Sequence, residues 1–345
     1  AEASRKGACR VCAAAAPRRG LKKILKSAPF PWRNGKKVLT SPCKHSKMWI
    51  KSFVDYLRYE RNLSEYTIAG YEADLKEFER FYLGLDSELD WNSIDADVVR
   101  QWEVSIMERG NKASSVGRRL SALRTFYRFL MKRKMVTKDP AHLVRAPKKD
   151  KTLPGYVREE EMNHLFDGDF FDGSFKGVRD KTILLTFYST GIRLSELTGL
   201  RLPDFDMNQM QLKVTGKRNK QRLVPFGVEL RDSMREYLSI RGQFCSERGF
   251  STDVLFVDER AGGEMSPSGV REMVKRYLSL VTTQQKRSPH VLRHSFATSM
   301  LNHHADLQSV KGLLGHESLS TTEVYTHTSF EELKEVYKHA HPRAK

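Results

Sequence analysis

Apolar residues recur with helical spacing through most of residues 48–145. Trp49, Phe53 and Leu57 lie four residues apart, and three later segments repeat apolar residues every three or four positions. This spacing places one apolar stripe along each helix. The later stripes are Ile68, Tyr71, Leu75, Phe78 and Tyr82; Val99, Trp102 and Ile106; and Val116, Leu120, Leu123, Tyr127 and Leu130. The pattern predicts a bundle of four helices, the last with Ser114 or Ser115 as its N-cap.

A change of composition and period marks a second domain. Residues 146–155, APKKDKTLPG, contain two prolines, three lysines and a glycine, a composition typical of a linker. Helical spacing resumes after it, in REEEMNHLF and RDKTILLTFYSTGIRLSEL. Residues 211–226, QLKVTGKRNKQRLVPF, instead alternate on both sides of a polar turn, which predicts a β-hairpin. We therefore expect residues 156–345 to form a mixed α/β domain, mostly helical with a small sheet.

Positive charge is concentrated at the start of the chain. The net charge is +18 over 345 residues, and residues 1–47 contribute +12 from 13 basic residues and one acidic residue. We predict that residues 1–47 are a disordered basic extension. Three origins stay open for it: upstream sequence translated from an early start, a targeting peptide, or a nucleic-acid-binding arm. The first is favoured because Met48 opens an amphipathic helix, and it would place this extension outside the native protein.

Cysteine usage points to neither a disulfide framework nor a strong metal site. Cys9, Cys12, Cys43 and His45 could supply four zinc ligands, but the gap between the pairs is long and featureless. Cys245 stands alone. No apolar run reaches the roughly 18 residues that a membrane span requires. We expect a cytoplasmic protein with no metal and no other cofactor.

The fourth helix carries a basic face away from its apolar stripe. Its arginines include Arg118, Arg119, Arg124 and Arg128. Charged residues on a helix are commonly a solvated face, but the same arrangement can contact the phosphates of DNA. We predict these four arginines as DNA-binding residues.

Several polar side chains occupy helix ends in the second domain. In SPHVLRHSFATSML, Ser288 and Pro289 start a helix that places His290 and Arg293 three residues apart, away from the apolar stripe. In TGIRLSEL, Arg193 follows a glycine turn, and Glu196 can hold its guanidinium by an i, i+3 ion pair.

The remaining candidates lie in a hairpin turn and near the end of the chain. Lys217 lies in the turn of the predicted hairpin. In LLGHESLSTTEVYTH, Gly315 ends a helix in the left-handed conformation, so that His316 comes directly after it. Ser320 and Glu323 form a capping box that places Tyr325 within a short helix.

Six of these residues fit the transfer of a phosphoryl group to a tyrosine: Arg193, Lys217, His290, Arg293, His316 and Tyr325. A phosphodiester attacked by a tyrosine oxygen gathers negative charge that two arginines can bind. The leaving oxygen needs a proton, which a lysine or histidine can supply. Each residue taken alone has an ordinary explanation: a packed tyrosine, a capping histidine, a solvated lysine. Their joint spacing favours chemistry, and that chemistry requires no metal.

The four blocks TGIRLSEL, TGKRNKQRLVP, SPHVLRHSFATSML and LLGHESLSTTEVYTH resemble the active-site blocks of the tyrosine recombinase (phage integrase) family, most closely its Xer branch. The resemblance covers roughly residues 48–340. It implies an N-terminal SAM-like core-binding bundle and a C-terminal catalytic domain that together form a C-shaped clamp on duplex DNA. Residues 1–47 match nothing in the family pattern.

The resemblance also implies a role for each residue. Tyr325 would be the nucleophile that forms a 3′-phosphotyrosyl link, and Arg193 and Arg293 the phosphate clamp. His290 and His316 would be hydrogen-bond and acid–base partners, and Lys217 the acid for the 5′-oxygen. The expected function is site-specific recombination, with chromosome dimer resolution favoured. The alternatives are an integrase of a mobile element, a type IB topoisomerase, and a DNA-binding protein without catalysis.

The last predicted helix indicates a subunit contact. Ser329 and Glu332 form a capping box, and a stripe follows that consists of Phe330, Leu333, Val336, Tyr337 and Ala340. Nothing after it in the chain could cover this stripe. With the family resemblance, this predicts a helix donated to a neighbouring subunit in a homo- or heterotetramer on synapsed DNA, with a related recombinase as a possible partner.

Overall fold

The computed structural model of the chain describes residues 42–148, 155–216, 219–315 and 330–344, with side chains from residue 48 onward. The chain divides into two compact units, residues 1–150 and residues 151–345. Hydrophobic clusters form a separate core in each unit. Among the described residues, no helix is both long and apolar enough to cross a membrane.

The N-terminal unit contains the four predicted helices. They are α1 (Pro42–Asp55), which continues into one π-helical turn (Tyr56–Glu60), α2 (Glu65–Leu85), α3 (Ala96–Glu108) and α4 (Ala113–Lys132). The predicted apolar stripes face the shared core, apart from Trp49 and Tyr71, which are partly buried at its edge. Hydrophobic periodicity therefore predicted this unit correctly.

Two helix starts differ from the sequence prediction. α1 begins at Pro42 rather than Met48, inside the stretch predicted to be disordered. Proline suits the first turn of a helix because its missing N–H group would have no partner there. α4 has Lys112 as its N-cap instead of Ser114 or Ser115. Gly110, at φ +79°, turns the chain early, so the extended residue that precedes the helix is Lys112.

Large aromatic side chains fill the centre of the N-terminal unit. The ring of Phe78 lies 4.8 Å from that of Trp102 and 5.7 Å from that of Trp91. Trp91 in turn makes an edge contact with Phe126 at 4.7 Å. Aromatic pairs at these separations stabilise a core beyond the area that they bury.

The second unit is mostly helical, as predicted. Its helices are α5 (Glu159–Asp167), α6 (Phe175–Thr190), α7 (Leu194–Thr198), α8 (Val228–Arg248), α9 (Pro267–Val281), α10 (Pro289–Asn302), α11 (Leu307–Leu314) and α12 (Phe330–Ala340). α6 lies at the centre, packed against α8 and α10, and its residues from Gly177 to Thr190 are all buried except Lys181. Its buried threonine hydroxyls donate to carbonyls one turn earlier, which removes the cost of burying them.

A small antiparallel sheet contains the predicted hairpin. Strands β1 (Phe205–Asp206), β2 (Gln211–Thr215) and β3 (Gln221–Pro225) pair in the order β1-β2-β3. β2 and β3 form the hairpin, with Gln211 opposite Pro225. The third strand, β1, was not predicted, because two residues are too short to show a period of two.

The helix α12 packs on its own domain. Tyr337 and Ala340 are buried in a cluster with α10 and α11, to which Phe296, Met300 and Leu313 contribute. The α12 stripe is therefore covered by helices that precede it in the chain, and its donation to a neighbouring subunit stays a prediction. Sequence order hid the contact, because α10 and α11 precede α12 in the chain but present an apolar face that fits it.

Candidate active site

Arg193 is positioned by a turn that only glycine can make. α6 ends at Gly191, which has φ +60°. A Cβ on this residue would lie 2.5 Å from Cδ1 of Phe296, so a side chain is excluded by space as well as by conformation. The chain leaves this turn and enters α7 with Arg193 as its N-cap. Arg193 is thereby fixed at the junction of two helices.

Glu196 is a buried carboxylate shared by two arginines. Its Oε1 accepts from Nη1 of Arg193 at 2.8 Å and from Nη1 of Arg222 at 2.8 Å. Its Oε2 accepts from Nη2 of Arg222 at 3.0 Å and from the backbone N–H of Arg193 at 2.8 Å. The ion pair expected between Arg193 and Glu196 is present, with Arg222 as an additional partner.

The charges around Glu196 keep it ionised. Burial by itself would raise the pKa of Glu196, but the hydrogen bonds from Arg222 and Arg193 outweigh burial and lower the pKa to about 2. The carboxylate therefore stays negative at any pH at which the protein works.

Arg293 lies between the C-terminal ends of two helices. Its Nη1 donates to the carbonyl of Gly191 at 2.6 Å, and its Nη2 donates to the carbonyl of Leu314 at 2.7 Å. Only 7% of the residue is exposed, so the expectation that it points away from the core holds only for its head group, which meets backbone carbonyls. Burial and the nearby charge of Arg193 lower the pKa of Arg293 to about 10, a value at which the guanidinium is still charged at neutral pH.

Three arginines converge on the end of α11. Nε of Arg222 donates to the carbonyl of Leu313 at 3.1 Å, Arg293 to that of Leu314, and Nη2 of Arg193 to that of Gly315 at 3.1 Å. These three carbonyls are consecutive and lie at the negative end of the helix dipole. Gly315 ends α11 in the left-handed conformation, as predicted, with φ +62°.

This arrangement is suited to binding an anion. Three guanidinium groups and one carboxylate meet within a few residues of one helix end, so positive charge exceeds negative charge there. The side chain of Arg193 is 41% exposed, which leaves one side of the group open to solvent. Paired arginines recognise the oxygens of a phosphate through several parallel hydrogen bonds.

His290 lies one helical turn before Arg293. Ser288 and Pro289 begin α10 as predicted, and His290 is exposed in its first turn. The ring of His290 stacks on that of His294, with centroids 5.5 Å apart and planes 8° apart. Burial, together with the nearby His290 and Arg293, lowers the pKa of His294, which favours the neutral ring.

Three of the predicted site residues lie outside the described residues: Lys217, His316 and Tyr325. The residues that precede Lys217 and His316 lie beside the arginine cluster. The N–H of Gly216 donates to the carbonyl of Lys220 at 2.7 Å and closes the hairpin turn. A Cβ on Gly216 would lie 3.3 Å from Oε1 of Glu196. The residue before Lys217 therefore touches Glu196, and the residue before His316 accepts from Arg193.

The basic face of α4 is tied to its own unit. Arg118 makes a two-pronged ion pair with Asp74, a residue that is 4% exposed. Arg119 pairs with Glu77 at 3.4 Å and lies 3.8 Å from Asp74. Both arginines thus hold α4 against α2.

The other two arginines of this face also have contacts inside the unit. Arg124 donates to the carbonyls of Ala141 and Val144, which fixes the segment after α4. Arg128 is exposed and donates to Thr125 on its own helix at 3.2 Å. The DNA-binding role of the four arginines stays a prediction, and three of them have a structural role in addition.

Arg222 is the residue of this cluster that sequence reasoning missed. On β3 it lies two residues before the buried Val224, so both point to the same face of the hairpin. An arginine at an inward position of an amphipathic strand needs a buried acid as its partner. The inward position of Arg222 could therefore have identified it from the sequence.

The described residues contain no group of three or more His, Cys, Asp or Glu side chains that could hold a metal ion. Of the four zinc ligands considered above, Cys9, Cys12, Cys43 and His45, none has a described side chain. Cys245 is a buried free thiol.

Family models match both units of the chain. A model described as "Phage integrase family" matches residues 156–332, and one described as "Phage integrase, N-terminal SAM-like domain" matches residues 50–134. The second match confirms the SAM-like fold predicted for the N-terminal bundle.

Proteins similar over most of the chain are named tyrosine recombinase XerC. The relative from Chlorobaculum tepidum is 37% identical over 319 residues, which cover 86% of this chain and 95% of the relative. The relative from Bacillus subtilis is 36% identical over 300 residues, with 86% and 97% covered.

Solved structures share the fold at lower identity. XerH site-specific recombinase bound to its difH substrate in a pre-cleavage complex has a TM-score of 0.65 and 20% identity, with 87% of this chain and 97% of that chain covered. A lambda integrase dimer bound to a core site has a TM-score of 0.60 and 16% identity, with 79% and 95% covered.

Proposed function

The chain belongs to the phage integrase family and is a site-specific recombinase of the tyrosine type, and on this premise we propose how its residues divide the reaction. The observation that carries the proposal is the convergence of Arg193, Arg222 and Arg293 on one helix end around a single shared carboxylate. Such a site holds an excess of positive charge where a phosphodiester would gain negative charge during transfer.

In the first step, Arg193 and Arg293 bind the two non-bridging oxygens of the scissile phosphate. The hydroxyl oxygen of Tyr325 attacks the phosphorus, and the bond from phosphorus to the 5′-oxygen breaks. A 3′-phosphotyrosyl link forms and a free 5′-hydroxyl end is released. The clamp stabilises the charge that builds up on the non-bridging oxygens.

Proton transfer falls to the remaining residues. Lys217 donates a proton to the leaving 5′-oxygen, and His290 and His316 hydrogen-bond the phosphate and take part in moving the proton of Tyr325. In the second step, the 5′-hydroxyl of another strand attacks the phosphotyrosyl link and releases Tyr325. The link preserves the energy of the phosphodiester, so rejoining needs no ATP.

The chain binds double-stranded DNA. We propose a two-arm target site and a tetramer on two synapsed sites, assembled from this chain alone or with a related recombinase. The relatives named XerC favour resolution of chromosome dimers in the bacterial cytoplasm as the task. In such an assembly, α12 leaves the cis contact described above and packs on a neighbouring subunit.

Replacing Tyr325 with phenylalanine tests the assignment of the nucleophile. Tyr325→Phe should bind the target site with unchanged affinity and form no covalent adduct on a nicked suicide substrate, because phenylalanine has no attacking oxygen. The substrate is built on the duplex that the wild-type chain enriches from a random library. Adducts are separated from free DNA on a denaturing gel.

An exposed tyrosine of the N-terminal unit is a suitable control. Tyr66 is 89% exposed on α2, and Tyr66→Phe should form adduct at the wild-type rate. Adduct in the Tyr325→Phe protein would assign the nucleophile to another residue.

A further inference from the structure

Arg222 makes a set of contacts that no step of the proposed reaction uses. Its two Nη atoms bind both oxygens of Glu196, and its Nε binds the carbonyl of Leu313. Its side chain is 17% exposed. We propose that Arg222 is a positioning residue for cleavage: it fixes Glu196, which in turn fixes the phosphate-binding face of Arg193. This inference rests on the function proposed above.

The first step of the argument concerns the orientation of the carboxylate. Arg193 holds the carboxylate through one guanidinium N–H and through its own backbone N–H. Arg222 adds two hydrogen bonds, at 2.8 and 3.0 Å, one to each oxygen, so that the orientation of the carboxylate does not depend on Arg193 alone. The direction in which Arg193 presents its guanidinium then follows from a rigid partner.

The second step concerns the end of α11. Arg222 binds the carbonyl of Leu313, two residues before the carbonyl that accepts from Arg193. A Cβ on Gly315 would lie 3.1 Å from Cδ and from Nε of Arg222, so the guanidinium lies directly against this glycine. Arg222 therefore fixes both groups that orient Arg193, the carboxylate and the helix end.

The third step separates the geometry of Arg222 from its charge. Its charge adds to the positive excess of the site, but it lies against Glu196 and contributes to lowering the pKa of Arg293. What Arg222 supplies is a planar fork that binds two oxygens at once, which lysine cannot do. Glu196 without this fork would be held only from the side of Arg193.

The main test compares Arg222→Met with wild type in single-turnover cleavage of the nicked suicide substrate described above. We expect the cleavage rate to fall about 10- to 100-fold, as expected for a misplaced catalytic group. Affinity for the intact target duplex should change less than about twofold, because the phosphates of the flanking arms dominate binding. A wild-type cleavage rate would overturn the proposal.

A double-mutant cycle shows whether Arg222 acts through Glu196. Glu196→Gln alone should also slow cleavage, and the Arg222→Met/Glu196→Gln double variant should be no slower than the slower single variant. Effects that multiply instead would mean that the two residues act independently, and would contradict the proposed route.

A modified substrate distinguishes a defect in phosphate binding from a defect in proton donation to the leaving oxygen. On DNA with a bridging sulfur at the 5′ position the leaving group needs no proton, so Lys217→Ala should recover its rate. Arg222→Met should stay slow on this substrate, because its defect lies in binding the non-bridging oxygens. Recovery of Arg222→Met to the wild-type rate would assign Arg222 to the hairpin turn and the acid, against the proposal.

Two further variants control for folding. Lys213→Met removes an exposed ion pair with Asp204 from the same hairpin, 3.3 Å long, and should cleave at the wild-type rate. Arg222→Lys keeps the charge and the apolar stem. It replaces Arg222→Met as the test variant if circular dichroism shows that Arg222→Met is unfolded. It should cleave more slowly than wild type, and an equal rate would overturn the proposal.

Failure of the proposed function would look different. A wild-type chain that forms no covalent adduct with its own enriched duplex would contradict recombination by this site. A wild-type chain that forms adduct, with Arg222→Met equally fast, would contradict only the role of Arg222.

Discussion

At the scale of single residues, one buried carboxylate organises the candidate site. Glu196 accepts from two arginines and from a backbone N–H, and it adjoins the hairpin turn. Breaking a buried ion pair by removing one partner is costly because the other charge is left unpaired. Glu196 should therefore matter for stability as well as for cleavage.

The stability supplied by Glu196 should depend on pH. Its pKa is lowered to about 2 in the folded chain from an ordinary value of 4.5. Stability from a lowered carboxyl pKa is present above the unfolded pKa and is lost as pH falls toward the folded one. Glu196→Gln should be less stable than wild type at pH 6, and about 2 kcal/mol of that difference should disappear by pH 3.

Urea unfolding of both proteins between pH 6 and pH 3 measures this difference. Glu65→Gln is a matched control, because Glu65 also pairs with an arginine but is exposed. Its effect should be small throughout. A wild-type advantage over Glu196→Gln that stays constant down to pH 3 would mean that Glu196 does not titrate as described.

Sequence reasoning selected Arg193, Glu196, His290 and Arg293 by their places at helix ends, and the structure brings the two arginines and the acid together. It missed Arg222, because an ion pair between a strand and a helix 26 residues away produces no periodic pattern in the sequence. It also did not predict that the arginines bind three consecutive carbonyls, because the identity of a side chain does not show which backbone group it will bind.

At the scale of secondary structure, periodicity predicted long elements and missed short or tertiary ones. The four N-terminal helices and the hairpin repeat their pattern over several turns or residue pairs, so local sequence determines them. The two-residue strand β1 and the cis contact of α12 depend on packing between distant segments. Helix starts shifted where a turn residue, Gly110, or a proline, Pro42, decided the geometry.

Two helix-ending glycines give a matched test of packing at the site. Gly191 ends α6 and Gly249 ends α8, with φ of +60° and +67°. A Cβ on Gly191 would lie 2.5 Å from Phe296, whereas nothing lies within 4 Å of a Cβ on Gly249. The two positions therefore share the conformational demand and differ in available space.

Gly249→Ala should cost about 1–2 kcal/mol of unfolding free energy, the strain of a left-handed alanine. Gly191→Ala should cost roughly 2 kcal/mol more, because Phe296 must also move. Gly191→Ala should in addition slow cleavage, since the carbonyl of Gly191 accepts from Arg293. Chemical denaturation measures the unfolding free energy that each variant loses. Equal losses would show that Phe296 moves away from a Cβ at position 191 without an energetic cost.

At the scale of the whole molecule, the chain consists of two cores with different tasks. The N-terminal core is a helical bundle rich in aromatic residues, and the second core surrounds α6. Arg193, Arg222, Arg293, Glu196 and the hairpin all belong to the second unit. The described part of the candidate site thus lies within one unit.

The separation of the two cores has an optical consequence. The four tryptophans, Trp32, Trp49, Trp91 and Trp102, all precede residue 150, and the last two are buried in the N-terminal core. The emission of Trp91 and Trp102 therefore reports unfolding of that unit, while circular dichroism at 222 nm reports helices in both.

Gly191→Ala should consequently lower the thermal midpoint of part of the dichroism signal and leave the midpoint of tryptophan emission unchanged. The same comparison with Trp102→Phe should move the emission midpoint instead. If emission followed dichroism in Gly191→Ala, the two cores would unfold as one cooperative block. If the midpoints are separate, the native tryptophans act as a built-in label of the N-terminal unit. Loss of structure around the candidate site can then be measured while that unit stays folded.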